Sequence, residues 1–243
     1  MLQISAKAKV NLCLDILKRD PSGYHKIQTV LHELENLQDK LEISQTPESD
    51  NVSIKNGNQN HLIKTEDNIA FKALKLFKET YEITKNFHIT IEKNIPISSG
   101  LGGGSSNAAA VLKGISQLLK MDLSPKELQK LAENLGMDVP FFILGGTAFA
   151  ENYGEKITPL KPLKVNLELL PQNSWPVLKT YLKTAEMYAR LDLSQCGKNL
   201  QKTQQVLDGK ITEETIHNDF ETLLKVPSRT HLSGSGPALF KLR

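Results

Sequence analysis

The chain reads as an α+β protein, because strand patterns and helix patterns both occur without the regular strand and helix alternation of a doubly wound sheet. Val10, Leu12, Leu14 and Ile16 alternate with Lys9, Asn11, Cys13 and Asp15, the period of a strand with one apolar and one polar face. Phe87, Ile89 and Ile91 repeat that period against His88, Thr90 and Glu92. Residues 124–136, SPKELQKLAENLG, carry the clearest helix signals: Ser124 and Glu127 form a capping box, Pro125 sits in the first turn and Gly136 stands at the C-cap.

The remaining elements follow in chain order. Asp20, Pro21, Ser22 and Gly23 form a turn signal, so residues 4–34 predict a hairpin whose second strand is YHKIQTVLHEL. DKLEISQT and NVSIKN predict further short strands around a polar turn. Ile69, Ala73, Leu74 and Phe77 have helical spacing, with Thr65 or Asn68 available as the cap. After the 87–91 strand, Ala109, Leu112, Ile115 and Leu119 share a helical face with Val111 and Leu118. TAFAENYGEKITPL predicts a hairpin turning at Asn152 to Gly154, and Pro159 with Pro162 marks a domain boundary. Beyond it lie a strand at 164–170, a helix near 184–191, a polar stretch at 194–210, and a turn leading into a final strand in HLSGSGPALFKLR.

At 243 residues and 39% hydrophobic content the chain can bury one large core or two modest ones. Its 30 basic and 27 acidic side chains give a net charge of +3 with no long basic run. Nucleic-acid binding is not called for, and a small basic surplus suits an anionic small molecule. No apolar stretch approaches the roughly 20 residues of a membrane span, and MLQISAKAKV lacks a signal-peptide core, so a cytoplasmic location without membrane attachment is expected. Cys13 and Cys196 make no C-x-x-C pair and the six histidines make no ligand pair, so neither a disulfide framework nor a protein-built metal site is expected.

One stretch stands out. In IPISSGLGGGSSNAAAV, Gly100, Gly102, Gly103 and Gly104 fall between the predicted strand and the predicted helix. A strand, a glycine loop and a helix N-terminus can cradle phosphate, since the first helical N–H groups lack internal partners and the dipole adds positive charge. Ser105 and Ser106 could cap the helix, bond a phosphate oxygen or reach a metal ion. The Walker form needs a lysine that is missing between Lys93 and Lys113, and the dinucleotide form needs glycine where Ser105 stands. On glycine content alone, a phosphate cradle and a plain connection remain open.

Further blocks narrow the choice. IPISSGLGGGSSNAA resembles the phosphate loop of the small-molecule kinases related to galactokinase, homoserine kinase, mevalonate kinase and phosphomevalonate kinase. Pro96, Gly100, Leu101, Ser105 and Ser106 match its Pro-x-x-x-Gly-Leu-x-Ser-Ser-Ala motif, with extra glycines between. With AKAKVNLCLDILKRDPSGYHKIQTVLHEL, LGMDVPFFILGGTAFAENYGEKITPL and LSGSGPALF, the chain is similar to the 4-diphosphocytidyl-2-C-methyl-D-erythritol kinase family within that group. Four separated, ordered blocks are spread over nearly the whole length.

The resemblance implies a two-lobed kinase fold with its active site in the cleft between lobes. It also implies transfer of the ATP γ-phosphoryl group to the 2-hydroxyl of 4-diphosphocytidyl-2-C-methyl-D-erythritol, a step of the non-mevalonate route to isoprenoid precursors. Asp138 matches the catalytic aspartate, which takes the hydroxyl proton, and Lys9 matches the lysine beside it. Asn11 shares Lys9's strand face, while Tyr24 and His25 match the GYH that holds the cytosine ring. Thr184 and Tyr188 match the far side of the substrate pocket, after an atypical preceding segment. On the donor side, Pro96, the N–H groups of Leu101 to Ser106, Asn68 near adenine, and the turn glycines Gly234 and Gly236 are implied. Mg²⁺ would be held mainly by the nucleotide phosphates, with no dedicated protein ligand cluster.

The division implied is an N-terminal ATP- and substrate-binding domain over 1–160 and a shortened C-terminal domain over 161–243. Only FETLLKVPSRTHL separates the block at Asn218 and Asp219 from the glycine turn, where the family usually has a longer helical segment. A monomer or weak homodimer is expected. A related kinase with homoserine or a mevalonate derivative as acceptor would leave GYH without a purpose. A non-catalytic nucleotide-binding module is suggested only by the shortened lobe.

Overall fold

The first two strands are far longer than the hairpin predicted from their turn. β1 (Leu2–Arg19) and β2 (His25–Thr46) flank the Asp20 to Gly23 turn, and β2 takes in as one strand the two strands expected at 24–34 and 39–46. This computed structural model describes residues 1–55, 65–175 and 184–243. Asn56, the last residue of the predicted NVSIKN strand, and the atypical stretch before Thr184 at 176–183 lie outside the described residues.

By contacts the chain divides into two compact units, and β1 and β2 each run from one into the other. The first unit holds Met1–Ala8, Glu35–Ile97 and Gly102–Leu144. Its strands follow the order β3 (Asn51–Lys55), β4 (Asn86–Glu92), β2, β1, with β3 parallel and β2 antiparallel to β4. Leu41 opposes Ile91 and Ile43 opposes Ile89, which sets the apolar residues of both strands on one face. Among the described residues this unit holds four α-helices: α1 (Ile69–Thr80), α2 (Gly103–Leu118), α3 (Pro125–Ala132) and α4 (Val139–Leu144). α1 packs on α2, and α4 on both α2 and α3. Asn68 rather than Thr65 caps α1, its Oδ1 accepting from the N–H of Ala70 at 2.9 Å. The capping box of α3 forms as expected, with Ser124 and Glu127 exchanging side-chain and backbone bonds.

The second unit holds Lys9–Leu34, Ser98–Leu101 and Gly145–Arg243. Here β2 pairs antiparallel with β5 (Thr147–Asn152), which turns into β6 (Lys156–Pro159). β7 (Leu167–Leu169) is followed by α5 (Thr184–Arg190) and α6 (Leu200–Leu207). β8 (His217–Asn218) runs parallel to β1, pairing Cys13 with His217. β9 (His231–Leu232) and β10 (Leu239–Leu242) complete a three-stranded sheet with β7. Residue 160 falls inside this unit. Leu14, Ile16, Ile27, Met187, Phe220, Leu232 and Leu239 form its apolar cluster.

Two local features go beyond what the sequence pattern disclosed. The stretch 194–210, read only as polar, contains α6, whose Thr203 and Val206 are buried at helical spacing. The polar face of β1 is not solvated, for Lys9, Asn11, Cys13 and Asp15 are all buried. Asp15 Oδ2 accepts from Thr203 Oγ1 and meets His217 Nε2 at 3.1 Å, while Asp15 Oδ1 is buried without a hydrogen-bond partner. Among the described residues no helix is long and apolar enough to cross a membrane.

Burial also governs the cysteines. It pushes the Cys13 thiol up to about 12 and the Cys196 thiol up to about 11, with Asp219 and Asp192 adding to the second. Neither carries thiolate at neutral pH. Native protein at pH 8 is expected to resist iodoacetamide while urea-unfolded protein takes up two equivalents, read by intact mass.

Candidate active site

Within the second unit, the residues singled out at the start of β1 meet the loop before α2 and the turn after β9. The Lys9 N–H donates to the carbonyl of Leu101 at 3.0 Å, so strand and loop are joined by the backbone. The Lys9 ammonium, with the residue only 3% exposed, donates to Asn11 Oδ1 at 2.7 Å and to the Gly100 carbonyl at 2.9 Å. Ser233 Oγ donates to the same Gly100 carbonyl at 2.9 Å, and the Ala238 N–H donates to the Ser99 carbonyl at 2.9 Å. A Cβ on Gly234 would lie 3.2 Å from Lys9 Nζ and 3.5 Å from Asn11 Oδ1. Lys9, Asn11, Gly100, Leu101 and Gly234 therefore form one cluster. Gly236 belongs to the same turn, its N–H donating to the Ser233 carbonyl at 2.9 Å.

The aromatic residues of this unit fall into two groups. His25 and Tyr188 stack on each other, centroids 4.8 Å apart at 17°, and Tyr188 meets Phe220 edge-on at 4.9 Å. At that separation their facing surfaces already touch. Burial, then the charge of Arg19, holds the His25 imidazole below its ordinary value, so it is neutral at pH 7 and presents one donor and one acceptor. Tyr24 does not join them. It is 58% exposed and tilts against Tyr153 at 5.6 Å, whose hydroxyl donates to Asp20 Oδ2 in the β1 to β2 turn. Thr184 Oγ1 lies 3.1 Å from Ser235 Oγ, beside the glycine turn.

Within the first unit, the glycine loop becomes the start of α2. Gly102, in the left-handed region at φ +73°, is the N-cap, and no side chain caps the helix. This corrects the reading of Ser105 and Ser106 as caps: the helix begins at Gly103, and both serines lie in its first turn. Glycine's access to positive φ lets the turn close before the serines are reached. Ser105 is half-buried and Ser106 is 3% exposed. No acidic residue occupies that turn, so the helix end keeps its attraction for an anion.

Beneath the loop lies a network that local patterns did not reveal. Asp39, fully buried on β2, accepts from the N–H groups of Asn94 and Ile95 at 2.7 and 2.8 Å and from Asn107 Nδ2 at 2.8 Å. It also pairs with Lys93 Nζ. That ammonium would lie 3.1 Å from a Cβ on Gly103. Pro96, half-buried, follows directly after Ile95. Asn68 spends its side-chain oxygen on capping α1. Asp138, half-buried, immediately precedes α4, which starts at Val139.

Sequence reasoning missed Asp39, Lys93, Thr29, Tyr153 and Ser233. Thr29, Tyr153 and Ser233 sat inside recognised blocks without being singled out there, whereas Asp39 and Lys93 lay outside them. All but Ser233 are joined to the site by side-chain bonds across long stretches of chain, which no local period encodes.

Comparison with known proteins follows the same blocks. Residues 68–146 match the GHMP kinases N terminal domain. The chain is 35% identical to the 4-diphosphocytidyl-2-C-methyl-D-erythritol kinase of Alkaliphilus metalliredigens, aligning 98% of this chain with 87% of that protein. It is 40% identical to the kinase of that name from Clostridium tetani, over 82% of this chain and 68% of the relative. Among solved structures, a 4-(cytidine 5'-diphospho)-2C-methyl-D-erythritol kinase superposes with a TM-score of 0.76 at 29% identity, covering 99% of this chain and 90% of that one. The Methanococcus jannaschii mevalonate kinase reaches 0.71 at 17% identity, covering 99% and 90%, and shares the fold.

Proposed function

Because the chain belongs to the 4-diphosphocytidyl-2-C-methyl-D-erythritol kinase family, within the GHMP kinases, we propose that it transfers the γ-phosphoryl group of ATP to the 2-hydroxyl of 4-diphosphocytidyl-2-C-methyl-D-erythritol. The acceptor oxygen forms a bond to the γ-phosphorus, the bond to the β,γ-bridging oxygen breaks, and ADP leaves. The observation that carries the reading is the Lys9 ammonium, buried and held by Asn11 and Gly100 rather than solvated on a strand face.

A cation so fixed offsets charge on the group in transfer without reorganising during the step. Asp138 is the base in this reading and takes the acceptor proton as the oxygen attacks. Asn11 orients Lys9, and its place beside that ammonium suits contact with the acceptor alcohol. His25, Tyr188 and Thr184 would receive the cytidine end, where the neutral imidazole of His25 can read a polar base edge. Tyr24, exposed and braced by Tyr153, offers an aromatic face for stacking on the base.

On the donor side the open N-terminus of α2 supports triphosphate binding through the N–H groups after Gly102, with Pro96, Asn68, Gly234 and Gly236 shaping the surroundings. The donors fit Mg²⁺ only as a partly hydrated ion, since no group of three His, Cys, Asp or Glu side chains that could hold a metal occurs among the described residues. Magnesium when bound would neutralise the phosphates, and Ser105 is the more accessible of the two first-turn hydroxyls for it. In functional terms residues 1–160 would carry most of the ATP- and acceptor-binding residues, and the shortened second domain over 161–243 would add Thr184, Tyr188, Gly234 and Gly236.

The test supplies ATP with 4-diphosphocytidyl-2-C-methyl-D-erythritol, homoserine or mevalonate in parallel and follows ADP release. Turnover confined to the cytidine compound is the expected result. Turnover with homoserine or mevalonate instead, or none with any acceptor while ATP still binds, would overturn the reading.

A further inference from the structure

We propose that Thr29 is a positioning residue for phosphoryl transfer: its hydroxyl fixes which end of the Asn11 amide faces the Lys9 ammonium. The inference rests on the reading of Lys9 as the cation at the transferred group, and it adds a residue that the sequence blocks did not single out.

The argument is one of donors and acceptors. Thr29, on β2 and 1% exposed, donates its hydroxyl proton to the main-chain carbonyl of Cys13 at 2.6 Å. A carbonyl can only accept and a hydroxyl has one proton, so the Thr29 oxygen is left as an acceptor. Asn11 approaches that oxygen at 2.8 Å, and it must present its NH₂ end. An amide has two ends, so its oxygen is turned the other way, 2.7 Å from Lys9 Nζ. The ammonium is a donor only, and it finds acceptors in Asn11 Oδ1 and the Gly100 carbonyl.

Reversing the amide would set NH₂ against NH₃⁺ and leave two buried donors facing each other. The orientation of a side chain beside the reaction is thus decided by a backbone carbonyl two residues along the strand, relayed through one hydroxyl. Asn11 is 5% exposed and Thr29 1% exposed, so bulk water is not at hand to replace the relay. Thr29 acts through Asn11 and Lys9.

Thr29→Val keeps the branched shape and removes the relay, whereas Thr29→Ser keeps the hydroxyl. The expected result with ATP and the cytidine substrate is a roughly tenfold to hundredfold lower kcat in Thr29→Val, from misplacement of Lys9. KM for ATP should stay within about twofold and Thr29→Ser should recover kcat to within about threefold of wild type. A Thr29→Val kcat within about twofold of wild type, or a Thr29→Ser no better than Thr29→Val, would overturn the proposal. A second measurement needs no turnover: the Asn11 side-chain NH₂ protons, assigned by NMR against Asn11→Asp, should exchange slowly in wild type and fast in Thr29→Val. Equal exchange in both sinks the relay. Wild-type protein that fails to phosphorylate the cytidine substrate, yet shows the protected NH₂, would remove the substrate reading and leave the relay standing. Should Thr29→Val not fold, Thr29→Ala carries the same comparisons.

Discussion

Asp39→Ala is expected to destabilise the protein by about 3–5 kcal/mol, the range for breaking a buried ion pair by removing one partner. The carboxylate is fully buried and accepts from two backbone N–H groups, from the Asn107 amide and from Lys93. Truncation leaves Lys93, whose side chain is only 13% exposed, with Asn107 Oδ1 at 3.2 Å as its remaining oxygen there, and it orphans the N–H groups of Asn94 and Ile95. Urea unfolding should therefore show a lower midpoint at unchanged slope. Asp39→Asn places an NH₂ among donors and should recover little. The double variant Asp39→Asn with Lys93→Met should recover part of the loss, because the stranded charge is gone. Equal stability of Asp39→Ala and wild type would show that the pair contributes nothing. The consequence reaches the donor site, since Lys93 lies against Gly103 at the start of α2, and a raised KM for ATP is expected in any Asp39 variant that folds.

Asp39 also marks the limit of what the sequence disclosed. Elements whose signals are local were legible: the capping box at Ser124, the hairpin at Asn152 to Gly154, and the strand, loop and helix order around the glycines. The family, read from four separated blocks, was legible too and is shared with relatives over nearly the full length. Long-range polar pairing was not. DKLEISQT was legible as a strand, but that its first residue side accepts from Lys93 and Asn107 depends on partners 54 and 68 positions away. The polar face of β1 hid its burial for the same reason. Alternation normally separates core from water, and here the polar side is buried because Asp15, Asn11 and Lys9 each meet a partner supplied from elsewhere in the chain. The serines after the glycine run misled differently. Their propensity for N-caps is real, but glycine at a left-handed N-cap ends the loop first.

Gly100→Ala is expected to damage stability and turnover together, and more severely than its single added methyl suggests. Gly100 sits at φ +82°, where a side chain is strained. The added Cβ would also stand 2.1 Å from the Ser233 carbonyl oxygen and 3.1 Å from the Gly236 nitrogen. Both are backbone atoms of a tight turn, so no rotamer change relieves the contact. Strain and overpacking together predict a loss of about 2–5 kcal/mol. The loop or the turn must move apart, and the Gly100 carbonyl moves with it. That oxygen accepts from Lys9 Nζ and from Ser233 Oγ, so its displacement loosens the ammonium and the turn at once. A drop in kcat of roughly a hundredfold or more should persist in protein that remains folded at low temperature, because an error of about 1 Å in a positioning group has that effect. Gly234→Ala provides the comparison. Its Cβ would stand 3.2 Å from both the Gly100 carbonyl oxygen and Lys9 Nζ, contacts that a shift of a few tenths of an ångström relieves, so although its φ of +54° is also strained its kcat should fall less. If Gly100→Ala kept wild-type turnover and melting temperature, the contact between loop and turn would not exist as described, and the placement of Lys9 by the Gly100 carbonyl would fall with it.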